Sequence, residues 1–251
     1  MAIKDDAAFQ DLKPYLKMTV APNGVTIGDL NFVVAQTQWS TALQSIALAN
    51  TIPADVSLDL FQAARGDVGQ GFTTALNRSQ TSWQDTQGRL PANQVFIATS
   101  CGFQIFRRDT PSTTADATEV LIPKLSAVNA IGRNFSWDVT IGDGITRNYG
   151  SIIDFPGYGG QYAVINPGDP AAVASAGFSQ GCMLGDPDDR GRKLRIPLVF
   201  PPNISVRIRV RGGNAFAVDD VTLAANDTLP TTSFLAVRQF LHGYLCTMPV
   251  G

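Results

Sequence analysis

From residue 91 onward, apolar and polar residues alternate along much of the chain. A period of two places successive side chains on opposite faces of a β-strand, so each alternating run predicts a strand with one buried face. The runs cover residues 94–108, 135–140, 145–153, 192–200, 204–211 and 233–248. Asp143-Gly144 is a hairpin-turn signal between the second and third runs. Residues 119–131 fit either a strand or a short helix.

The pattern changes before residue 91, where one segment has a helical period. Trp39, Leu43, Ile46 and Ala47 recur at spacings of one helical turn, as the apolar face of an amphipathic helix does. This spacing predicts a helix between residues 31 and 50, ended by the proline that follows it.

The rest of the first third predicts little regular structure. Residues 56–60 alternate as a short strand, and residues 63–90 are polar and rich in Gly and Gln, which indicates a long ordered loop. We therefore divide the chain into an N-terminal region, 1–90, with a helix and a long loop, and a β-sandwich, 91–251, on which it packs. The two form one compact unit.

About eight strand candidates with long connections favour an antiparallel sandwich over an α/β fold. The irregular connections favour a jelly roll over an immunoglobulin-like domain, and eight strands are the number that one jelly roll needs. The fold class expected is therefore mainly β, a single jelly roll with a short helical N-terminal region. A second roll remains open if very short strands occur in the first third. Residues 155–191, rich in Gly, Pro and Asp, predict a long excursion with a helical turn at 171–176.

Residues 192–211, RKLRIPLVFPPNISVRIRVR, predict a two-stranded ribbon that turns at Pro201-Pro202. Proline has no N–H to donate to a ladder, so the pair fits only a turn. In the first arm, one face gathers Leu194, Ile196, Leu198 and Phe200. In the second arm, apolar residues share one face, and the other carries Arg207, Arg209 and Arg211. This arginine face is a solvated surface, a subunit interface that meets aspartates of a neighbour, or a surface facing nucleic acid.

The composition narrows the classes of function. The chain has 251 residues, 44% hydrophobic and 16% charged, with a net charge of -2. A compact protein is expected, and a surface built wholly for nucleic acid is not, because such surfaces need clustered Lys and Arg. The start of the chain lacks the apolar core of a signal peptide, so synthesis in a cytoplasm is expected. Cys101, Cys182 and Cys246 have no metal-binding spacing and are predicted to be buried small hydrophobes.

Candidate chemistry is sparse. The single histidine, His242, falls in a predicted strand, where a core or edge role is the simpler interpretation than a general base. Asp186, Asp188 and Asp189 are the best calcium candidates, although they lack the spacing of an EF-hand and fit a solvated turn. Asp219-Asp220 is a second carboxylate pair, and the GYGG stretch at 157–160 is interpreted as a bend. We expect no catalytic residues, no cofactor except possible calcium, and no enzyme activity.

Three segments resemble structural proteins of bacterial viruses. They are residues 79–106, SQTSWQDTQGRLPANQVFIATSCGFQIF, with GRLP before the first long strand; residues 193–210, KLRIPLVFPPNISVRIRV, with PLVFPPN at the double proline; and residues 236–250, AVRQFLHGYLCTMPV, in the last strand. Together they are similar to segments of the jelly-roll capsid proteins of tailless icosahedral phages. The resemblance covers about a quarter of the chain.

The resemblance implies a virion structural protein that self-assembles into an icosahedral shell without enzymatic chemistry. It implies a homo-oligomer, a trimer or a pentamer, together with other capsid proteins. Local contact with the packaged genome or with an internal membrane remains open. The alternative function is a carbohydrate-binding jelly-roll module of a receptor-binding virion protein. There, Trp83, Trp137, Tyr149 or Tyr158 stack on sugar rings and the Asp186–Asp189 loop holds calcium.

Overall fold

The structure is a computed structural model, and it describes residues 32–46, 51–84, 89–108, 110–113, 119–120, 125–144, 146–155, 161–164, 179–182, 192–217 and 233–247. The strands are β1 (Phe32–Ile46), β2 (Thr51–Ile52), β3 (Ser57–Leu60), β4 (Gln94–Arg108), β5 (Glu119–Val120), β6 (Phe135–Ile141), β7 (Arg147–Ser151), β8 (Gln161–Val164), β9 (Ser179–Cys182), β10 (Arg192–Phe200), β11 (Val206–Gly212), β12 (Phe216–Ala217) and β13 (Ser233–Thr247). Among the described residues, one α-helix, α1 (Leu125–Asn134), leads into β6, and a 3-10 turn (Ile152–Asp154) follows β7.

The fold is mainly β, as predicted, and is built on two antiparallel sheets. The first sheet has the order β1-β13-β4-β10, with β5 paired to the end of β4. The second sheet has the order β3-β11-β6-β7. Two short ribbons, β12-β2 and β8-β9, complete the described strands.

The two sheets face each other across a common apolar core. The first sheet contributes Phe96, Phe103 and Leu241, and the second contributes Leu58, Trp137 and Ile208, all within one cluster of buried residues. Stacked sheets that share such an inner layer form a β-sandwich.

The eight principal strands pair in a nested order. Taken along the chain as β1, β3, β4, β6, β7, β10, β11 and β13, the first pairs with the eighth, the second with the seventh, the third with the sixth and the fourth with the fifth. The eighth also pairs with the third, and the seventh with the fourth. The outermost and third pairs lie in the first sheet, and the second and innermost pairs lie in the second sheet.

The prediction of a helix between residues 31 and 50 is wrong, because Phe32–Ile46 forms the 15-residue strand β1. Its apolar residues lie on both faces of the sheet, which hides the period of two. Ala42 and Ile46 face the common core. Leu43 faces the opposite side, where it packs in a second cluster with Phe72.

The prediction of a ribbon over residues 192–211 is also wrong, although both arms are strands. β10 pairs with β4 in the first sheet, whereas β11 lies between β3 and β6 in the second. The double proline is therefore a corner between the two sheets. Asn203 beside it has φ 58°, and its N–H donates to the carbonyl of Leu90 at 3.0 Å.

The predicted apolar face of the first arm breaks at Ile196, which is 59% exposed, because the register with β4 shifts between Lys193 and Leu198.

The remaining strand predictions are confirmed. β4 and β13 cover the predicted long strands, and β6 and β7 form the hairpin at Asp143-Gly144. The 119–131 segment contains both β5 and the first part of α1. Within the described part of 63–90 only isolated bridges occur, as expected for an ordered loop. The helical turn predicted at 171–176 lies outside the described residues.

Candidate functional site

The arginine row predicted on β11 lies on the outer face of the second sheet. Val206, Ile208 and Val210 are fully buried in the core, so the alternate residues of the strand point away from it. The two neighbouring strands each bring an aspartate to this outer face. Asp59 of β3 and Asp138 of β6 both stand opposite Arg209 in the ladder.

Each arginine of the row pairs with one of these two carboxylates. Arg207 binds Asp59 through two parallel hydrogen bonds, Nε to Oδ1 at 3.0 Å and Nη2 to Oδ2 at 2.8 Å. Arg209 donates from Nε to Oδ1 of Asp138 at 3.1 Å. The Nε of Arg211 lies 2.6 Å from Oδ2 of the same carboxylate. We call these five residues the Arg–Asp surface.

Burial is uneven across the Arg–Asp surface. The side chain of Asp138 is 5% exposed and that of Arg209 is 20% exposed, whereas those of Arg207 and Arg211 are 49% and 48% exposed. The hydrogen bonds and charge of Asp59 raise the pKa of the Arg207 guanidinium above its ordinary value. Asp138 is therefore the anchor of the surface, and the two outer arginines are its accessible part.

The geometry limits what this surface can do. The carboxylates that the interface hypothesis expected from a neighbouring subunit come from the same chain, so the arginines already have charge partners. Three arginines and two aspartates leave one net positive charge, which is small for a nucleic-acid contact. A guanidinium has five N–H donors, and the half-exposed Arg207 and Arg211 keep some of theirs at the solvent boundary. The surface suits polar contacts with another protein better than it suits phosphate binding.

The sequence analysis did not identify Asp59 and Asp138 as partners of the arginines. They lie 148 residues from Arg207 and 71 residues from Arg209, respectively, so no local spacing connects them. The available signal was their position, since each alternates with apolar residues in a short strand and therefore shares the outer face.

A shallow cavity of about 300 Å³ borders Asp59 on the side of β1. Ser40, Thr41, Gln62 and Gln70 contribute its polar lining. The Gln70 amide also binds the backbone of β3: its Oε1 accepts from the Asp59 N–H and its Nε2 donates to the Ser57 carbonyl, both at 2.6 Å. This side chain therefore caps the free edge of β3, and the cavity belongs to that cap.

His242 lies on β13 and is 3% exposed. Its Nδ1 is 2.9 Å from the Thr37 hydroxyl on the neighbouring strand, and its ring stacks on Phe240. These contacts agree with the prediction of a histidine held inside the fold.

Two of the cysteines are buried, as predicted. Cys101 and Cys246 are fully buried free thiols. Burial raises the pKa of the Cys246 thiol to about 12 and raises that of Cys101 as well. A thiol that stays protonated is a poor nucleophile and metal ligand.

The three described aromatic residues that were proposed to stack on sugars do not form a surface platform. Trp83 and Trp137 are 1% and 0% exposed. Tyr149 is partly buried and stacks on Trp137, with ring centroids 4.4 Å apart and planes 19° from parallel. Tyr158 lies outside the described residues.

Asp186, Asp188, Asp189 and the Asp219-Asp220 pair also lie outside the described residues. Among the residues that the structure does describe, no group of three or more His, Cys, Asp or Glu side chains is placed to hold a metal ion. No helix in those ranges is long and apolar enough to cross a membrane. No known protein family, curated protein or solved structure matches this chain.

Proposed function

We propose that the sandwich is a jelly roll and that the chain is a capsid protein of the tailless icosahedral phage type. The nested pairing of the eight principal strands carries this proposal. A jelly roll is a double-sheet fold of eight antiparallel strands. It results when a long antiparallel ribbon of four strand pairs wraps around a core so that successive pairs fall in alternate sheets. The pairs 1–8, 2–7, 3–6 and 4–5 have this arrangement here.

The three segments that resemble phage capsid proteins meet at one end of the sandwich, which further supports the proposal. Leu90 forms a bridge with Pro202 at the corner between the sheets. Phe96, just inside β4, pairs with Phe200 on one side and with Leu245 on the other. Segments that are far apart in sequence thus contact one another in space, as parts of one structural feature do.

In this proposal the chain has a structural role and not a catalytic one. It assembles as a homo-oligomer, a trimer or a pentamer, and joins other capsid proteins through the sides of the sandwich. It is made in the host cytoplasm and resides in the virion without a cofactor. The Arg–Asp surface is the candidate side contact.

Carbohydrate binding is the second candidate. In the described ranges nothing favours it, because Trp83 and Trp137 serve as core residues. We therefore rank the shell role first.

Assembly of the purified chain tests the shell role. Light scattering and negative-stain electron microscopy across a wide range of protein and salt concentrations should show closed oligomers or shells. A strict monomer that is stabilised by glycans and forms no assembly would favour the carbohydrate-binding module instead.

A double variant tests the candidate side contact. Arg207→Ser combined with Arg211→Ser leaves Arg209 paired with the buried Asp138, so the chain should still fold. Assembly should weaken relative to Arg133→Ser, an exposed arginine at the end of α1. Equal assembly of both proteins would make the Arg–Asp surface an ordinary solvated face.

A further inference from the structure

The free edges of the two sheets are protected to different degrees. An unprotected edge strand presents unpaired N–H and C=O groups to other chains, and natural proteins block such edges with charges, prolines, bulges or covering loops. β10 carries Arg192, Lys193 and Arg195, followed by Pro197 and an irregular register. In the second sheet, the side chain of Gln70 caps β3, and β7 is short and starts at the exposed Arg147.

The second half of β1 is covered by the chain itself. Trp39 donates its N–H to the Ser82 hydroxyl at 2.8 Å and accepts from the Ser82 N–H at 2.9 Å. The Leu43 N–H donates to the Gln70 carbonyl at 3.0 Å. The loop after β3 therefore runs along this part of the edge and satisfies the N–H and C=O of Trp39 and the N–H of Leu43.

These contacts also show which groups of β1 point outward. The pairing with β13 is continuous and has no register shift, so alternate residues direct their N–H and C=O to the same side. Because the backbone groups of Trp39 and Leu43 point to the covering loop, those of Val33, Ala35 and Thr37 point to the same free edge. No backbone hydrogen bond from a described residue reaches the outward groups of these three residues.

Among the described residues, no loop pairs with the outward backbone groups of Val33, Ala35 and Thr37 in the first half of β1, residues 32–38. Its sequence, FVVAQTQ, contains no charge and no proline. Val34 is 42% exposed, and Ala35 is exposed as well. We call this run the open edge.

We propose that the open edge is a docking site for the open edge of a second copy of this chain. The two runs would pair antiparallel about a two-fold axis at Ala35, which extends the first sheet across two molecules. Val33 would stand opposite Thr37 of the second copy, and Ala35 opposite its own equivalent. Three outward residues on each chain supply roughly six backbone hydrogen bonds.

Three features favour a second copy over an unrelated partner. The open edge is self-complementary, because an antiparallel two-fold contact uses the same donors and acceptors on both chains. It is uncharged, so two copies meet without repulsion. The contacts of the covering loop with β1 begin at Trp39, which stops the paired strands from sliding along each other. Residue 35, the centre of the uncovered run, is therefore placed on the axis.

This inference does not depend on the virion role. A sheet that continues from one molecule to the next suits a shell, in which a weak contact is repeated many times. The same contact gives a dimer if the chain has another role.

Proline substitution gives the sharpest test. The Ala35 N–H points away from β13, so Ala35→Pro removes an edge donor and leaves the ladder within the chain intact. We expect sedimentation equilibrium of the full chain to show a dimer or larger even-numbered species. Ala35→Pro should weaken the association at least tenfold, since two of about six bonds are lost per contact. Ala35→Ser, which keeps the N–H, should associate like the parent.

A charge at the open edge gives a second variant that does not alter the backbone. Val34→Lys brings two ammonium groups close to the axis and should also weaken association. Val68→Lys is its matched control, because Val68 is 61% exposed and lies outside the open edge. Hydrogen exchange adds a direct readout. The amides of Val33, Ala35 and Thr37 should become protected as protein concentration rises, and Val34→Lys should remove this protection.

The outcomes separate this inference from the proposed function. Shells that form equally well with Ala35→Pro and Val34→Lys would overturn the inference and leave the virion role standing. A dimer abolished by both variants, with no shell under any condition, would support the inference and count against the virion role. If the chain associates but the Ala35 amide does not become protected from hydrogen exchange as the protein concentration rises, the inference is overturned. This holds even if both variants associate weakly.

Discussion

The two sheets are covered differently, and their sequences reflect the difference. The second sheet buries one face and carries the Arg–Asp surface on the other, so β11 alternates cleanly between valine or isoleucine and arginine. The first sheet is buried on both faces along much of its length. Cys101 faces the common core, and Cys246, on the opposite face, is also 0% exposed.

This comparison shows when an apolar–polar period of two identifies a strand reliably. A strand with one wet face must place polar residues at every second position, whereas a strand covered on both sides has no such constraint. The second sheet was therefore predictable from alternation, and β1 of the first sheet was not.

The largest expected effect is in the first sheet. Gly243 faces the bulge of β4, and a Cβ there would meet the Ile97 carbonyl oxygen and lie 2.8 Å from the Ala98 Cα. Backbone atoms cannot move aside as a flexible side chain can, so Gly243→Ala should lower the free energy of unfolding by about 3 kcal/mol or more. Urea denaturation measures the loss.

The control for this variant lies beside the second sheet. A Cβ on Gly213 would be 3.3 Å from Oδ1 of Asn134, so Gly213→Ala should cost less than about 1 kcal/mol. Losses of the same size would show that the first sheet is no more tightly packed than the second.

The second prediction concerns the uneven burial within the Arg–Asp surface. Asp138→Asn leaves two arginines without their buried carboxylate and should lower the free energy of unfolding by about 2 kcal/mol. Asp59→Asn removes a more exposed pair and should cost less than about 1 kcal/mol. Thermal or urea unfolding of the two variants gives the comparison. If both losses are below 1 kcal/mol, the buried Asp138 contributes no more to the free energy of unfolding than the more exposed Asp59.

The third prediction tests whether both faces of the first sheet are closed. In a Cys182→Ser background, neither Cys101 nor Cys246 should react with a maleimide before the chain unfolds. The pKa of both thiols is raised in the folded state, so the folded protein keeps protons that the unfolded chain releases above pH 9. Stability should therefore be intact below pH 9 and fall as the pH rises, by up to about 1.4 kcal/mol per pH unit for each thiol.

The thiols can be assigned by removing them one at a time. Cys246→Ala should flatten the alkaline part of the stability curve relative to the Cys182→Ser parent, and Cys101→Ala should do the same. Rapid labelling of Cys246 alone would show that the outer face of the first sheet is open.

The smallest expected effect lies at the edge of the first sheet, where its cover ends. Ile196 is 59% exposed, so Ile196→Thr should change the free energy of unfolding by less than about 0.5 kcal/mol. Leu198→Thr, two residues along the same strand at 3% exposure, should cost about 3 kcal/mol. A large loss of stability from Ile196→Thr would show that β10, like the rest of the first sheet, is buried on both faces.

The double-proline segment shows what alternation cannot supply. The alternation along β11 identified its inward and outward residues, and the prolines marked a turn between two strands. Neither signal says which strand is the neighbour, because pairing is decided by contacts with β4, β3 and β6, far away in sequence. The strands were therefore right and the ribbon was wrong.

The candidate site had the same limit. Arg207, Arg209 and Arg211 were found as a row because one strand holds them all. Their partners come from β3 and β6, so Asp59 and Asp138 became identifiable only once the register of the second sheet was known. A property of one strand can be predicted from its sequence, whereas a property of three adjacent strands depends on topology.

The pairing of β1 with β13 has a consequence for biosynthesis. Thr37 and His242, neighbours in the first sheet, lie 205 residues apart. At a ribosomal rate of about 5–20 residues per second, tens of seconds can separate the two strands. Throughout that interval the nascent β1 lacks the strand that completes it, and its open edge is available to any other nascent chain. The last long strand to be translated, β13, therefore supplies the pairing partner of β1, the first.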